Sequence, residues 1–307
     1  MSARAQIRLL PDGRRLHLQD GPIDIVLQAF GREDQIRIAC RAATERFVTV
    51  LDELCSELPL LREGVYVGGR EPNGIIARRM RAAVMPYADE HFITPMAAVA
   101  GAVAEEILSA MTAAADLSRA YVNDGGDIAL HIGDRENFVI GMVDLPPELR
   151  PDRPSLFGKM TLDSDQPVRG IATSGWRGRS FSLGIADAVT VLAKTAAMAD
   201  AAATVVANAV DIPGHPSVSR VPACDLSPDS DLRERLVTTS VGELTSAEVS
   251  EALRCGAACA ESLLASELIG AAALYLRGTT FVVTPRKSAF EPAKTVALPS
   301  ERTLVHA

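Results

Sequence analysis

The sequence predicts an α+β protein in which an antiparallel-rich sheet is covered by helices. Short alternating or continuous apolar segments are typical of strands, while longer segments carry apolar residues at helical spacing. These segments occur in blocks, as strands, helices, strands, a helix and strands again. Regular alternation of strand and helix would indicate a parallel sheet, so the block order favours an antiparallel one.

The predicted elements begin with a hairpin whose turn, Asp12-Gly13, has residues that two-residue turns prefer. Pro59 is expected to end the first helix, and Thr94-Pro95 has the composition of a helix start. The Pro-rich and Arg-rich residues 144–155 are predicted to form a loop. Strands are predicted at residues 5–10, 14–19, 23–29, 120–122, 127–132, 138–143, 156–162, 168–173, 187–193, 272–277 and 280–284. Helices are predicted at residues 33–58, 75–88, 94–115, 195–210 and 244–266.

The length and composition fit one large domain. The chain has 307 residues, of which 48% are hydrophobic and 4% aromatic, so small aliphatic side chains should fill the core. We expect a single α+β domain over residues 1–307, with residues 211–266 as a loop and helical insertion. Thr245 or Ser246 is expected to cap the helix of this insertion, with Glu248 in its first turn. The insertion could serve as a partner surface or as a contact in a homo-oligomer.

Charge and cysteine content exclude several classes of function. The formal net charge is −8 and the pI is near 5.3, which argues against a nucleic-acid partner and an anionic membrane surface. The five cysteines are scattered without a CxxC pair, as expected for reduced thiols. The N-terminal segment has no apolar stretch of signal-peptide length, and the apolar run at residues 96–104 is too short to span a bilayer. We therefore expect a cytoplasmic protein whose partner is a small-molecule substrate.

The first segment that can carry chemistry is Asn123-Asp124-Gly125-Gly126-Asp127. Two glycines between strands allow positive φ and close approach of the backbone to a ligand. The flanking carboxylates and the amide supply hydrogen-bond acceptors or metal ligands. The same residues are also the preferred residues of a plain hairpin turn, so both interpretations stay open.

The second segment runs from Thr173-Ser174-Gly175 to the basic residues Arg177 and Arg179. Hydroxyl groups at a strand end, beside two arginines, suit an anionic group such as a phosphate or carboxylate. The sole tryptophan of the chain lies between them and could stack on a planar ligand. An exposed basic loop is the alternative.

The third segment is the alanine-rich helix that carries Asp200 and Thr204. These residues are four apart, on one stripe of an otherwise apolar helix. A carboxylate there is costly unless it is paired, hydrogen-bonded or bound to a metal. Two hard oxygen ligands would suit Mg²⁺ or Ca²⁺, whereas a solvent-facing polar stripe is the alternative.

Four segments, in this order along the chain, resemble the motifs of the ApbE superfamily, whose best-known members are FAD-binding FMN transferases. Pro95–Ala104 is similar to the family's small-residue helix, where a backbone carbonyl contributes to a metal site. Val122–Ile128 (VNDGGDI) resembles its flavin-lining loop, and Ala172–Gly175 (ATSG) matches a threonine–serine–glycine strand end. Ala199–Thr204 (ADAAAT) is similar to the helix whose acid and hydroxyl hold a divalent ion. The resemblance implies a T-fold-like α+β sheet, Mg²⁺ or Ca²⁺ at Asp200 and Thr204, and FAD or FMN as a cofactor.

The chain departs from the transferases at two places. Ala100-Gly101 stands where they have lysine-glycine, and the segment WRGRSFSLGIAD from residue 176 replaces their histidine-containing segment. In these respects the chain resembles the divergent cytoplasmic branch of the superfamily, some of whose members have been connected with sulfur assimilation.

Three functions follow as hypotheses. The first is a metal-dependent enzyme for a small anionic or nucleotide-like substrate, with Asp124 or Asp187 as a catalytic base. The second is FAD:protein FMN transfer, in which the ion would stabilise the pyrophosphate that is broken. The third is a non-catalytic accessory protein in small-molecule metabolism that keeps the fold without the chemistry.

Overall fold

Strands and helices form at most of the predicted positions in a computed structural model that describes residues 4–143, 156–285 and two short strands beyond them. The predicted loop at residues 144–155 lies outside the described residues. The strands are β1 (Gln6–Leu9), β2 (Leu16–Asp20), β3 (Ile23–Phe30), β4 (Arg119–Asp124), β5 (Asp127–Ile132), β6 (Asn137–Val143), β7 (Leu156–Asp163), β8 (Gly170–Ser174), β9 (Ala188–Ala193), β10 (Val218–Pro222), β11 (Leu236–Val241), β12 (Ala271–Leu276), β13 (Thr279–Val283), β14 (Glu291–Pro292) and β15 (Val305–His306). The helices are α1 (Glu33–Ser56), α2 (Leu58–Leu61), α3 (Ile75–Val84), α4 (Val99–Ala114), α5 (Ala196–Ala209), α6 (Ala223–Leu226) and α7 (Ser246–Ala265), with 3₁₀ segments at Met85–Tyr87 and Pro95–Ala98.

The chain groups into two compact units whose segments alternate along the sequence. Unit 1 contains Met1–Asn137, Asp163–Ala172 and Ala193–Ala201, and unit 2 contains Phe138–Leu162, Thr173–Leu192 and Ala202–Ala307. The strand β8 and the helix α5 each contribute residues to both units. The expectation of a single domain with an insertion at residues 211–266 stays a prediction.

Unit 1 is built on an antiparallel meander. Each of the strands β1 to β4 pairs antiparallel with the next, and β5 also pairs antiparallel with the start of β8. Helix α1 contacts β2 and β3, and α4 contacts β4 and β5. Cross-strand partners lie on one face of a sheet, so Asp124 shares its face with the fully buried side chains of Leu18 and Ile25. The sheet therefore directs one carboxylate of the Asn123–Asp127 turn into the protein.

Unit 2 combines short antiparallel pairings with helix α7. Strand β12 pairs with β9 and with β13, and β10 pairs with β11. A further sheet has the order β14-β7-β6-β15, in which β15 runs parallel to β6. Helix α7 contacts β12 and β13. The predicted α+β class, with a large antiparallel sheet and helices, is thus confirmed.

One stretch of unit 1, Pro95–Ala114, is long and apolar enough to cross a membrane by length and composition. The apolar run at residues 96–104, expected to be too short to span a bilayer, lies within this longer stretch. Half of the stretch is buried inside the protein, and its two glutamates, Glu105 and Glu106, form ion pairs with arginines of α1 and α3. A core helix passes the same test of length and composition, and these contacts are those of a core helix.

Two local expectations differ from the structure. The side chain of Thr94 makes no capping hydrogen bond at the start of the Pro95–Ala98 segment, although its backbone is extended as at a helix start. Strands β10 and β11 lie within the insertion, in the part of it that was predicted to be a loop. By contrast, Thr245 and Glu248 form the expected reciprocal cap of α7.

Candidate functional site

The Asn123–Asp127 segment is a two-residue hairpin turn between β4 and β5. Asp124 and Asp127 are cross-strand partners, and the two glycines between them have φ values of +65° and +115°. The backbone N–H of Gly126 donates to Oδ1 of Asn123 at 2.8 Å, which fixes the asparagine side chain against the turn. Glycine is required here because other residues rarely adopt two successive positive φ values.

Asp124 turns its carboxyl group into unit 1. The residue is 4% exposed, and its Oδ1 accepts a hydrogen bond of 3.2 Å from the backbone N–H of Asp24 on the neighbouring strand. A buried carboxylate needs such partners because removing it from water disfavours its charged form. The turn thus contributes a buried acid as well as a change of chain direction.

Asp200 lies on α5 and is held by the start of α4. The backbone N–H of Gly101 donates to Oδ2 of Asp200 at 3.0 Å. The two helices approach so closely that a Cβ on Gly101 would lie 2.3 Å from the carbonyl oxygen of Ala196. Only glycine fits such a contact, so the small-residue stretch of α4 allows α5 to place Asp200 against the α4 backbone.

The electrostatics of Asp200 reflect three competing effects. Burial of the carboxyl group raises the pKa of Asp200 to about 7, even though part of the residue as a whole remains exposed. Backbone hydrogen bonds from Gly101 and from Ala100 lower this pKa, whereas the negative charge of Asp124 raises it further. Burial outweighs the two backbone donors, so protonated and charged forms of Asp200 are balanced near neutral pH.

Two carboxylates of unit 1, Asp124 and Asp200, interact through their charges. Among the described residues, no cluster of three or more His, Cys, Asp or Glu side chains is placed to hold a metal. The donors of Asp124 and Asp200 are hard oxygens, which suit Mg²⁺ or Ca²⁺ better than zinc. Mg²⁺ commonly takes one or two carboxylates and completes its coordination with water or substrate oxygens, so the residues present fit this ion.

Thr204, the other predicted metal ligand, follows Asp200 by one turn of α5 and is half-buried. It belongs to the part of α5 that is grouped with unit 2. Its role as a ligand stays a prediction.

A second cluster of predicted residues lies in unit 2 around Asp187. Its Oδ1 accepts hydrogen bonds from Nε of Arg177 (2.7 Å) and from Nε1 of Trp176 (3.2 Å). Its Oδ2 accepts the backbone N–H of Arg277 at 2.7 Å. The Arg177 guanidinium also lies over the Trp176 ring, 4.7 Å from its centroid. Asp187 therefore anchors the loop after β8 and already provides the negative charge that Arg177 meets.

The end of β8 in unit 2 carries the predicted hydroxyl groups. Oγ1 of Thr173 lies 2.9 Å from Oγ1 of Thr190 on β9, while Ser174 ends the strand half-buried. A Cβ on Gly175 would lie 2.6 Å from the carbonyl oxygen of Asp187, so the backbone approaches closely there. Arg179 is exposed on the same loop.

The structure thus arranges the predicted residues in two groups. Unit 1 holds the turn Asn123–Asp127 together with Asp200, and unit 2 holds Gly175, Arg177 and Asp187 together. The sequence did not reveal two contributors, the N–H donors of α4 and the backbone N–H of Arg277. The run of small residues around Gly101 could have indicated the N–H donors of α4. No feature of the sequence indicates the backbone donor at Arg277.

Fold and site together define an ApbE-like α+β protein with a pair of interacting acids in unit 1. The family model described as AbpE bacteria matches residues 7–282, and the chain belongs to this family.

Several archaeal proteins are similar to the chain. A UPF0280 protein of Methanosphaerula palustris is 31% identical over 186 residues, covering 54% of this chain and 74% of the relative. UPF0280 proteins of Methanopyrus kandleri and Methanococcoides burtonii are 36% and 40% identical, covering 43% and 41% of this chain. The chain spans about half the length of these last two relatives, 48% and 49% respectively.

Two solved structures of flavin transferases are also similar to the chain, each at 12% sequence identity. A point mutant of the flavin transferase ApbE from Vibrio cholerae has a TM-score of 0.35, covering 92% of this chain and 97% of that one. The apo flavinyl transferase ApbE from Pseudomonas stutzeri has a TM-score of 0.33, covering 85% of this chain and 75% of that one.

Proposed function

We propose that this protein is a metal-dependent enzyme that acts on a small anionic or nucleotide-like substrate. The observation that carries the proposal is the position of the Asp200 carboxyl group against the backbone of α4, where the N–H of Gly101 donates to its Oδ2. Burial and the charge of Asp124 raise the pKa of Asp200 there to about 7. Two acids that are both enclosed by protein disfavour each other's charged forms. A divalent cation would remove this penalty, and such pairs are a common way to hold Mg²⁺.

Each residue of unit 1 has a defined part in this proposal. Asp200 and Asp124 would hold the ion, and the N–H donors of α4 would keep Asp200 oriented toward it. Thr204 is proposed as a further oxygen ligand. When bound, the ion would supply a positive charge that stabilises negative charge developing on a phosphate or carboxylate of the substrate.

Within unit 1, the substrate would be recognised by the glycine turn. Gly125 and Gly126 have no side chains, so a ligand can approach the backbone of the turn closely. Arg179 is exposed and can meet an anionic group, while Arg177 is oriented by Asp187. The base roles of Asp124 and Asp187 remain proposals, and the hydrogen bonds around Asp187 favour a positioning role for that residue.

FAD:protein FMN transfer is the second candidate, and it is supported by the chain's family and by the names of the similar solved structures. Ala100-Gly101 and the loop after Gly175 differ from the transferase pattern, which favours a different reaction on a similar site. A small-molecule substrate, a cytoplasmic location and a homo-oligomer remain parts of the proposal. The net charge of −8 disfavours nucleic-acid and membrane partners.

Thermal unfolding of the purified full chain tests the metal site first. We expect Mg²⁺ to raise the Tm of the wild type and to raise it much less in Asp200→Asn. Asp89→Asn is a matched control, because Asp89 is an exposed acid of unit 1 with the same change of charge. If Mg²⁺ and Ca²⁺ leave the Tm of the wild type unchanged, or raise the Tm of all three proteins equally, the assignment of a metal site is wrong.

Adding FAD in the same experiment separates the two candidate reactions. Flavin transfer requires FAD to stabilise the wild type further in the presence of Mg²⁺. Stabilisation by Mg²⁺ with ADP but not with FAD would instead favour a different nucleotide-like substrate. Stabilisation by Mg²⁺ alone, unchanged by either nucleotide, would contradict both nucleotide versions and leave a small anion as the substrate class.

A further inference from the structure

We propose that Glu105 is a positioning residue that fixes the start of α5 and thereby the place where Asp200 meets α4. Oε1 of Glu105, on α4, accepts the backbone N–H of Ala197 in the first turn of α5 at 2.7 Å. Ala197 and Asp200 are three residues apart, so they are neighbours on one side of that helix. A shift of the first turn of α5 would therefore move the Asp200 carboxyl group as well.

The contact between the two helices is reciprocal. Glu105 of α4 accepts an N–H from the first turn of α5, and Asp200 of α5 accepts the N–H of Gly101 in the first turn of α4. Gly101 and Glu105 are four residues apart, so they too lie on one side of their helix. The first N–H groups of a helix need partners from outside it, and negative charge near them is favourable. Each helix thus begins against a carboxylate of the other.

The side chains at the start of α5 offer little to its first N–H groups. Oγ1 of Thr195, just before the helix, accepts the N–H of Met198 at 3.3 Å. Residues 196–199 are three alanines and one methionine, of which only methionine has even a weak acceptor. The acceptor for the N–H of Ala197 comes instead from α4, and the position of the α5 start therefore depends on Glu105.

The Glu105 side chain is itself oriented by α3. Nε of Arg79 lies 3.0 Å from Oε2 of Glu105, while Oε1 accepts the N–H of Ala197. The same guanidinium donates to the carbonyl oxygen of Ala102 at 3.2 Å and to Oε2 of Glu106 at 3.0 Å. The Glu105 side chain is 18% exposed. An acceptor that is enclosed and already oriented loses little freedom in holding the α5 start.

Glu106 provides a matched comparison within the same group of ion pairs. Its Oε1 lies 2.7 Å from Nε of Arg46 on α1, and its Oε2 lies 3.0 Å from Nη1 of Arg79 on α3. Both oxygens of Glu106 thus meet arginines, whereas one oxygen of Glu105 meets the backbone of α5. A substitution at Glu106 should therefore weaken the ion pairs and leave the α5 start in place.

The experiment compares two substitutions that keep the size of the Glu105 side chain. Glu105→Gln and Glu105→Met remove the same charge, but only glutamine keeps an oxygen that can accept the N–H of Ala197. Glu106→Met is the control at the neighbouring acid. Hydrogen exchange at the backbone N–H of Gly101, measured by NMR on the metal-free full chain, reports the contact with Asp200. Calorimetric titration with MgCl₂ reports ion binding, a readout that rests on the proposed function.

We expect Glu105→Met to speed exchange at Gly101 and to weaken Mg²⁺ binding, each by about fivefold, the effect of losing one hydrogen bond. Glu105→Gln should stay close to the wild type in both measurements. Glu106→Met should do the same, although it lowers the Tm. If Glu105→Met does not fold, Glu105→Asp takes its place, because it keeps the charge but is one methylene too short to reach Ala197.

The proposal is wrong if Glu105→Met matches the wild type in both measurements. It is also wrong if Glu105→Gln or Glu106→Met changes them as much as Glu105→Met does, because that result would indicate a general loss of stability. A wild type that does not bind Mg²⁺ would overturn the metal site instead, and hydrogen exchange at Gly101 would still decide whether Glu105 positions Asp200.

Discussion

Gly101→Ala is the substitution that most directly tests how α4 and α5 build the candidate site. In a helix, alanine is normally preferred over glycine by about 1 kcal/mol, so the exchange would be stabilising on an unhindered surface. Gly101 is buried, however, and an added Cβ would lie 2.3 Å from the carbonyl oxygen of Ala196 and 2.8 Å from the backbone nitrogen of Ala197. The new methyl group meets backbone, which cannot move aside by changing a rotamer.

The magnitude follows from this distance. An ordinary contact needs roughly 3.5 Å, so the two helices would have to separate by about 1 Å. Overpacking of this kind costs about 1–3 kcal/mol, and sometimes more. After subtracting the gain in helix propensity, we expect a net loss of up to about 2 kcal/mol of unfolding free energy. In a chain of this size that lowers the Tm by up to roughly 8 °C.

The same shift should damage the site, because the N–H of Gly101 donates to Asp200. We therefore expect Gly101→Ala to lose most of the Mg²⁺-dependent rise in Tm, measured alongside denaturant unfolding. Ala110→Gly, on the same helix but outside this contact, should destabilise the fold by propensity alone and keep the response to Mg²⁺. A Gly101→Ala protein as stable as the wild type, with an unchanged Mg²⁺ response, would refute the close contact and its role.

Two further predictions follow from the acids of the two units. The pKa of Asp200 is raised from 3.8 to about 7, so between these two pH values the folded chain retains a proton that the unfolded chain releases. Without divalent ions, the free energy of unfolding should therefore fall as the pH rises from about 4 to about 7. Denaturant unfolding in EDTA at about pH 5 and about pH 8 should show this fall in the wild type and a smaller one in Asp200→Asn; equal pH dependence in both would contradict the assignment. Asp187→Ala should cost about 1–3 kcal/mol and shift the emission of Trp176 to the red, because Asp187 is 6% exposed and binds the indole N–H. An unchanged emission maximum would show that Asp187 does not hold the tryptophan.

Much of the fold could be predicted because its signals are local. The hairpin at Asp12-Gly13 and the Thr245–Glu248 cap each depend on a few neighbouring residues. The cap formed as expected, and the hairpin formed too, but its strands are joined by residues 10–15 rather than by a two-residue turn. The strands β10 and β11 were missed because they pair only with each other, in a segment whose prolines and serines are typical of loops. Their pairing joins residues far apart in sequence, which no local pattern encodes.

The candidate site was predictable in its residue types but not in its contacts. The sequence predicted both the glycine turn and the acid of the apolar helix as site residues. For each of them a purely structural role, as a hairpin turn or as a solvent-facing polar stripe, remained possible. Their proximity depends on the pairing of β3 with β4 and on the contact between α4 and α5, both of which are long-range. The opposite case is Arg177, whose charge is matched inside unit 2 by Asp187, ten residues later in the chain. The sequence alone could not distinguish an arginine that binds a substrate from an arginine that pairs with a carboxylate of its own unit.

The charge state of Asp200 depends first on its burial, and then on the backbone of α4 and on the charge of Asp124. Burial and the charge of Asp124 favour the protonated acid, while two backbone N–H groups of α4 favour the carboxylate. Because the favourable effects on the protonated acid prevail and raise the pKa to about 7, a proton and a divalent cation compete for the same oxygens near neutral pH. A small displacement of α4 would remove the backbone donors and raise the pKa of Asp200 further. Protonation of Asp200 would then be favoured over binding of a divalent cation. The missing side chain of Gly101 therefore contributes to ion binding without being a ligand, since it allows the helix contact on which the carboxylate depends.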